Sequence, residues 1–90
     1  LPTAPLLAVE ILSPSSQVID RNLKLHRYER AGVPSYWIVD PGRGGRVPRV
    51  EVYRLLDGVY EVEAVAEGSE TITVSAPFEV TICPNALVRR

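Results

Sequence analysis

Pro5-Leu6-Leu7-Ala8-Val9-Glu10-Ile11-Leu12 is an apolar run interrupted by one carboxylate. A short continuous apolar run of this length reads as a strand buried on both faces. Strand alternation puts Leu7, Val9 and Ile11 on one face and Leu6, Ala8, Glu10 and Leu12 on the other. Glu10 then needs a partner, because a carboxylate moved out of water is costly unless it is paired or binds an ion. Two readings stay open at this point. One is a carboxylate at a sheet edge or in a structural ion pair. The other is a metal ligand, since a hard cation such as Mg²⁺ is held by one or two carboxylates together with substrate phosphate.

Working outward, Ser13-Pro14-Ser15-Ser16 ends the strand and offers hydroxyls to cap a helix. The pattern predicts a helix from Ser16 to Ala31, with Gly32 as the residue after its cap and Pro34 barring continuation. At about 100° per residue, Ile19, Leu23, Tyr28 and Ala31 bracket a stripe that contains Asp20, Lys24 and Arg27, with Val18 and Leu25 on the opposite side. Asp20, Lys24 and Tyr28 follow one another at i, i+4 and i+8. The plain reading is an exposed Asp–Lys pair worth ~0.3–0.5 kcal/mol, with Tyr28 packed beside it. The functional reading makes Lys24 a point charge on a phosphate, or the group that orients a hydrolytic water, with Asp20 supporting it.

Ser35 to Asp40 is the next strand, closed by Asp40-Pro41-Gly42. Strand, helix and strand in succession predict a βαβ unit with a parallel pair and a right-handed crossover. The pattern then changes to an antiparallel meander. Arg49 to Leu55 alternates, Asp57-Gly58 is a type I′ hairpin signal, and Val59 to Glu67 alternates again. Gly68-Ser69 turns the chain toward two short strands, Thr71 to Ser75 and Phe78 to Cys83, and Pro84 to Arg90 is a helical turn or loop. The expected class is α/β to α+β.

The chain has 90 residues, no Met and a formal net charge of −1. Ninety residues make one small domain or part of a larger one. The absence of Met points to a start inside a longer protein, or at a start codon written as Leu1. A near-neutral chain rests any nucleic-acid role on a local patch. Arg43, Arg46 and Arg49 are either a solvated loop or a phosphate contact. Gly42-Arg43-Gly44-Gly45 lacks dinucleotide-fingerprint spacing. Cys83 is the single cysteine, which fits a reducing compartment, and nothing around it marks a nucleophile. Ser13 and Ser15 lack a histidine base, and there is no G-x-S-x-G elbow. His26 reads as a surface residue and Trp37 as core. No apolar run reaches the ~18 residues of a membrane span and no signal-peptide pattern is present, so no membrane partner and a cytoplasmic location are expected.

Three blocks in order, Leu7-Ala8-Val9-Glu10-Ile11-Leu12-Ser13-Pro14-Ser15, Asp20-x-x-x-Lys24-x-x-x-Tyr28 and Gly32-Val33-Pro34-Ser35-Tyr36-Trp37-Ile38-Val39-Asp40-Pro41, resemble the Uma-two family. That family carries a provisional restriction-endonuclease label and belongs to the PD-(D/E)XK nuclease superfamily. The match is close over positions 5 to 60 and looser in the meander.

The resemblance implies a restriction-endonuclease-like strand–helix–strand core and a Mg²⁺- (or Mn²⁺-) dependent phosphodiesterase site acting on DNA. Glu10 matches the acidic residue of the (D/E)XK motif and would be both catalytic residue and metal ligand. Leu12 stands where the superfamily lysine would be, which makes Lys24 on the following helix the matching catalytic residue, with Asp20 supporting. The superfamily's other carboxylate ligand has no counterpart in Leu1 to Val9, and Leu6 stands where many members carry Asp. The resemblance therefore marks residues 1–90 as a partial domain lacking upstream strands and a helix. The residues that contact nucleic acid are left unassigned. Two expectations follow: a DNA endonuclease incomplete in this chain, or a non-catalytic remnant that associates with another chain. The apolar first strand adds an expectation of a homo-oligomer, or of association with the missing half.

Overall fold

The structure is a computed structural model, and it describes residues 5–13 and 18–88, with the side chains of Val18, Ile19 and Asp20 outside the described set. Its elements in order are β1 (Leu7–Ile11), α1 (Val18–Ala31), β2 (Ser35–Asp40), β3 (Arg49–Leu56), β4 (Val59–Glu67), β5 (Ile72–Val74), β6 (Val80–Ile82) and α2 (Pro84–Leu87). β1 to β4 form one four-stranded sheet in the order β1-β2-β3-β4, and β5 and β6 form a two-stranded sheet. β1 and β2 run parallel, and the β2–β3 and β3–β4 pairs are antiparallel. The fold is thus mixed α/β, a parallel strand–helix–strand unit continued by an antiparallel meander.

Local chemistry explains the joints. Gly32 at φ +78° ends α1, where its N–H donates to the Glu29 carbonyl at 3.0 Å and the Val33 N–H donates to the Tyr28 carbonyl at 3.2 Å. This is the paired 6→1 and 5→2 closure of a Schellman motif, which needs a left-handed residue at that one place. Asp57 (φ 52°) and Gly58 (φ 81°) make the two-residue turn between β3 and β4. A register shift between Val52 and Tyr53 opposite β4 leaves Glu63 as the extra residue of a bulge.

The sheet is covered on both faces. On one, Trp37, Val39, Val50 and Val52 pack against Val74 and Ile82 of the β5–β6 hairpin. On the other, Tyr36, Ile38 and Tyr60 pack with Leu25 and Tyr28 of α1. All four tyrosines of the chain meet on this helix face, with Tyr36 at the centre, 5.2 Å from Tyr28, 6.0 Å from Tyr53 and 5.4 Å from Tyr60 between ring centroids.

Several expectations are corrected here. The strand buried on both faces is β2, whose residues from Ser35 to Val39 are all buried. β1 is the edge of the sheet, and Leu6, Val9 and Ile11 are 66%, 47% and 64% exposed. An apolar run satisfies either position, because only strand order decides which run gains neighbours on both sides. The helix stripe is also displaced. The side turned to the sheet is Arg21, Lys24, Leu25 and Tyr28, while Leu23 is 60% exposed. Hydrophobicity alone placed the stripe wrongly because two of the four inward residues are cations. β5 and β6 are shorter than expected and leave the meander to make a sheet of their own. The predicted helix start at Ser16 lies outside the described residues.

Candidate functional site

β1 and α1 bring Glu10 and Lys24 together. Lys24 Nζ donates to Glu10 Oε2 at 3.0 Å, with the two side chains 35% and 18% exposed. Fourteen residues of sequence separate them, and the βαβ crossover closes that distance by laying α1 over β1 and β2. Tyr36 lies beneath, fully buried, and burial together with the nearby Glu10 charge pushes its hydroxyl up to about 12. Its Oη has no hydrogen-bond partner among the described residues. The Asp20 side chain, the third expected member, is outside the described set.

A second carboxylate enters that sequence reasoning missed. Glu10 pairs in register with Ile38, and Ile38 with Glu51 of β3. Glu10 and Glu51 therefore stand in one row on the same face, two strand spacings or roughly 10 Å apart. The two cations of α1 straddle Ile38, Lys24 reaching Glu10 and Arg21 reaching Glu51 at 2.6 Å. Glu51 also accepts from Arg49 Nε at 2.9 Å and from the Tyr53 hydroxyl at 2.7 Å. Burial pushes the Glu51 carboxyl up, but the bonds from Tyr53, Arg49 and Arg21 outweigh it, and the net shift is downward. Arg49 bridges on to Glu67 at 2.7 Å. Alternation in β3 gave the signal that Glu51 and Tyr53 share a face, but nothing in the sequence pairs Arg21 with Glu51.

The two carboxylates differ chemically. Glu51 has its acceptor sites filled by two guanidinium groups and a hydroxyl, so it is a strut that ties α1 to β3. Glu10 meets an ammonium that is a third exposed, on β1, the edge strand of the sheet among the described residues. Among the described residues no group of three or more His, Cys, Asp or Glu side chains lies close enough to hold a metal ion.

The loop arginines are accounted for differently. Arg46 pairs with Asp40 at 3.1 Å, and Arg49 belongs to the Glu51 network, so neither reaches out as a phosphate contact in this structure. Arg43 is exposed. His26 is exposed and meets Glu29 at 3.0 Å, while the other Glu29 oxygen accepts from the Tyr60 N–H at 2.7 Å. Cys83 is half-buried, and its Sγ faces the Gly68 carbonyl at 3.8 Å. Among the described residues no helix is long and apolar enough to cross a membrane.

One family model, Uma2, described as "Putative restriction endonuclease", matches residues 1–85. No curated protein matches the chain.

Proposed function

The chain belongs to the Uma2 family, and from that membership we propose that it carries the Glu10–Lys24 portion of a DNA phosphodiesterase site on a restriction-endonuclease-like core. The observation that carries the reading is the 3.0 Å pair itself. A strand carboxylate and a helix ammonium, far apart in sequence, converge beside an open edge. Glu10 would offer a carboxylate to a divalent cation, Mg²⁺ or Mn²⁺, which when bound activates water and offsets phosphoryl charge. Lys24 would hold a phosphate oxygen as a point charge, or orient the attacking water. Asp20 would hold Lys24 in place.

One carboxylate is a thin donor set, and the open edge of β1 bears on this. β1 pairs only with β2 among the described residues, and its Val9 and Ile11 are 47% and 64% exposed. A further strand laid along that edge would cover them and could bring a second carboxylate beside Glu10. Residues 1–90 are in this reading one part of the complete site. DNA is the proposed substrate and the cytoplasm the proposed compartment.

The test is nicking of supercoiled plasmid with Mg²⁺ or Mn²⁺, by the chain and by Glu10→Ala and Lys24→Met. Slow cleavage that needs the metal and is lost in both variants is expected. Cleavage that persists in EDTA, or that survives Glu10→Ala, refutes the site. No cleavage at all, with sedimentation showing a stable dimer through β1, hands the assignment to the alternative, a non-catalytic association module.

A further inference from the structure

The outer flank of α1 carries a groove of about 300 Å³ lined by Leu23, His26, Arg27 and Arg30. Its position follows from helix geometry. Taking Lys24 as reference, Arg27 lies roughly 60° around the axis on the side away from Tyr28 and Arg21, and Leu23 and Arg30 lie farther round the same way. The groove therefore lies on the side of α1 turned from the sheet, and Arg27 is the lining residue nearest Lys24. Its lining residues run along the axis for about 10 Å, from Leu23 to Arg30. That length spans two to three phosphates of one DNA strand at ~3.4 Å of axis each.

The ion pairs of the molecule single this groove out. Arg21, Arg46, Arg49 and Arg54 each lie within 3.1 Å of a carboxylate. Arg27, Arg30 and Arg43 are exposed, and among the described residues no carboxylate pairs with them. Two of these three arginines share the groove. The charge of the chain is divided in the same sense. Residues 1–48 carry six Lys or Arg against four Asp or Glu, and residues 49–90 carry four against seven. Among the described residues, a near-neutral protein thus presents a cationic stripe on α1 whose arginines pair with no carboxylate, on the helix that also carries Lys24.

We infer that the groove of Leu23, His26, Arg27 and Arg30 binds the phosphate backbone of duplex DNA, with Arg27 and Arg30 each holding one phosphate on one side of the phosphate at Lys24. The inference rests on the phosphodiesterase reading for the identity of the polyanion. Guanidinium groups suit the task because they present planar donors to phosphate and stay charged. Such contacts set the register of the duplex and do not read its sequence.

The experiment is fluorescence anisotropy of a labelled 20-base-pair duplex, titrated with the full chain in EDTA over a range of NaCl, so that no cleavage intervenes. The variants are Arg27→Gln/Arg30→Gln, and Arg43→Gln as an exposed arginine elsewhere. Far-UV circular dichroism checks that each is folded. Each lost phosphate contact lowers the slope of log K against log salt by ~0.9, so the double variant should lose ~1.8. With binding converging at 1 M salt, that slope amounts to roughly 60-fold weaker binding at 0.1 M. Arg43→Gln should leave the slope unchanged. An unchanged slope in the double variant overturns the groove, and so does a wild-type chain that does not bind. A loss of ~0.9 in Arg43→Gln, equal per arginine to that of the double variant, also overturns it, because total charge would then explain the binding. Loss of plasmid nicking alone, with the slopes as stated, would count against the catalytic reading and leave the groove standing.

Discussion

Glu10 and Glu51 flank Ile38 in one row of the sheet, and replacing each by its neutral isostere should separate a strut from a site. In Glu51→Gln the carboxylate that accepts from Arg21 at 2.6 Å, Arg49 at 2.9 Å and Tyr53 at 2.7 Å loses its charge. Hydrogen bonds to charged groups are worth about 1.5–3 kcal/mol each, and the glutamine oxygen keeps part of that. Its new NH₂ group also turns toward donors. A net cost of about 2–3 kcal/mol follows, below the 3–5 of a fully buried broken pair. In Glu10→Gln one pair to a lysine that is 35% exposed is weakened. Pairs of that exposure contribute about 0.2–1 kcal/mol. Urea unfolding followed by Trp37 fluorescence reads both. With m near 1 kcal/mol per molar for a small domain, the Glu51→Gln midpoint should fall by about 2–3 M and the Glu10→Gln midpoint by less than about 1 M, at unchanged m. Equal losses, or a larger loss for Glu10→Gln, would show that the Glu10–Lys24 pair is a structural tie and refute the distinction drawn between the two carboxylates.

Acid should act through Glu51 and Glu29, both held below the ordinary carboxylate range, Glu29 by the Tyr60 N–H first and then His26. Such groups stabilise the fold fully above their unfolded value of about 4.3 and lose that stabilisation as pH falls through the folded value, so urea midpoints should drop below about pH 4.5, and less steeply in Glu51→Gln. Tyr36→Phe removes a buried hydroxyl with no partner among the described residues and should leave stability unchanged or raise it by about 1 kcal/mol, whereas Tyr60→Phe loses the 2.7 Å bond to the Val33 carbonyl and should cost about 1 kcal/mol. Ile38→Ala empties the space under α1 between the two carboxylates and should cost about 2–5 kcal/mol by urea titration. Gly32→Ala forces a side chain into φ +78° and should cost about 1–2 kcal/mol, with the helical signal at 222 nm falling as the C-terminal turn of α1 loosens.

The order of elements was legible because each left a local mark. Asp57-Gly58 fixed one hairpin, Gly32 and Pro34 fixed the end of α1, and Ser35 to Asp40 was bounded on both sides by turn residues. What local patterns do not encode is lateral order within a sheet. Leu6 to Leu12 and Ser35 to Val39 are similarly apolar, yet only the second is flanked by β1 on one side and β3 on the other. The separate β5–β6 sheet was hidden for the same reason. Its residues alternate like the rest of the meander, and its place depends on covering Trp37, Val39, Val50 and Val52.

The convergence of Glu10 and Lys24 was half legible. Both residues are misfits, an anion in an apolar strand and a cation among inward helix positions, and misfits that must be buried tend to find one another. Arg21 and Glu51 obey the same logic, but each looked ordinary in sequence. Arg21 sits outside the apolar stripe read from the helix, and Glu51 alternates as a solvent-facing strand residue should. The structure makes α1 a helix with two electrostatic anchors one turn apart, set on either side of Ile38. An anchor closed by three donors resists exchange, whereas the Glu10–Lys24 pair, whose ammonium is a third exposed, is the one that a ligand offering each a better partner would open. A phosphate for Lys24 and a cation for Glu10 are such partners, and they arrive together in a nucleic-acid backbone with its counterions. In the proposed reading the Glu10–Lys24 anchor would be where chemistry occurs, and the Arg21–Glu51 anchor would keep α1 in place when it opens.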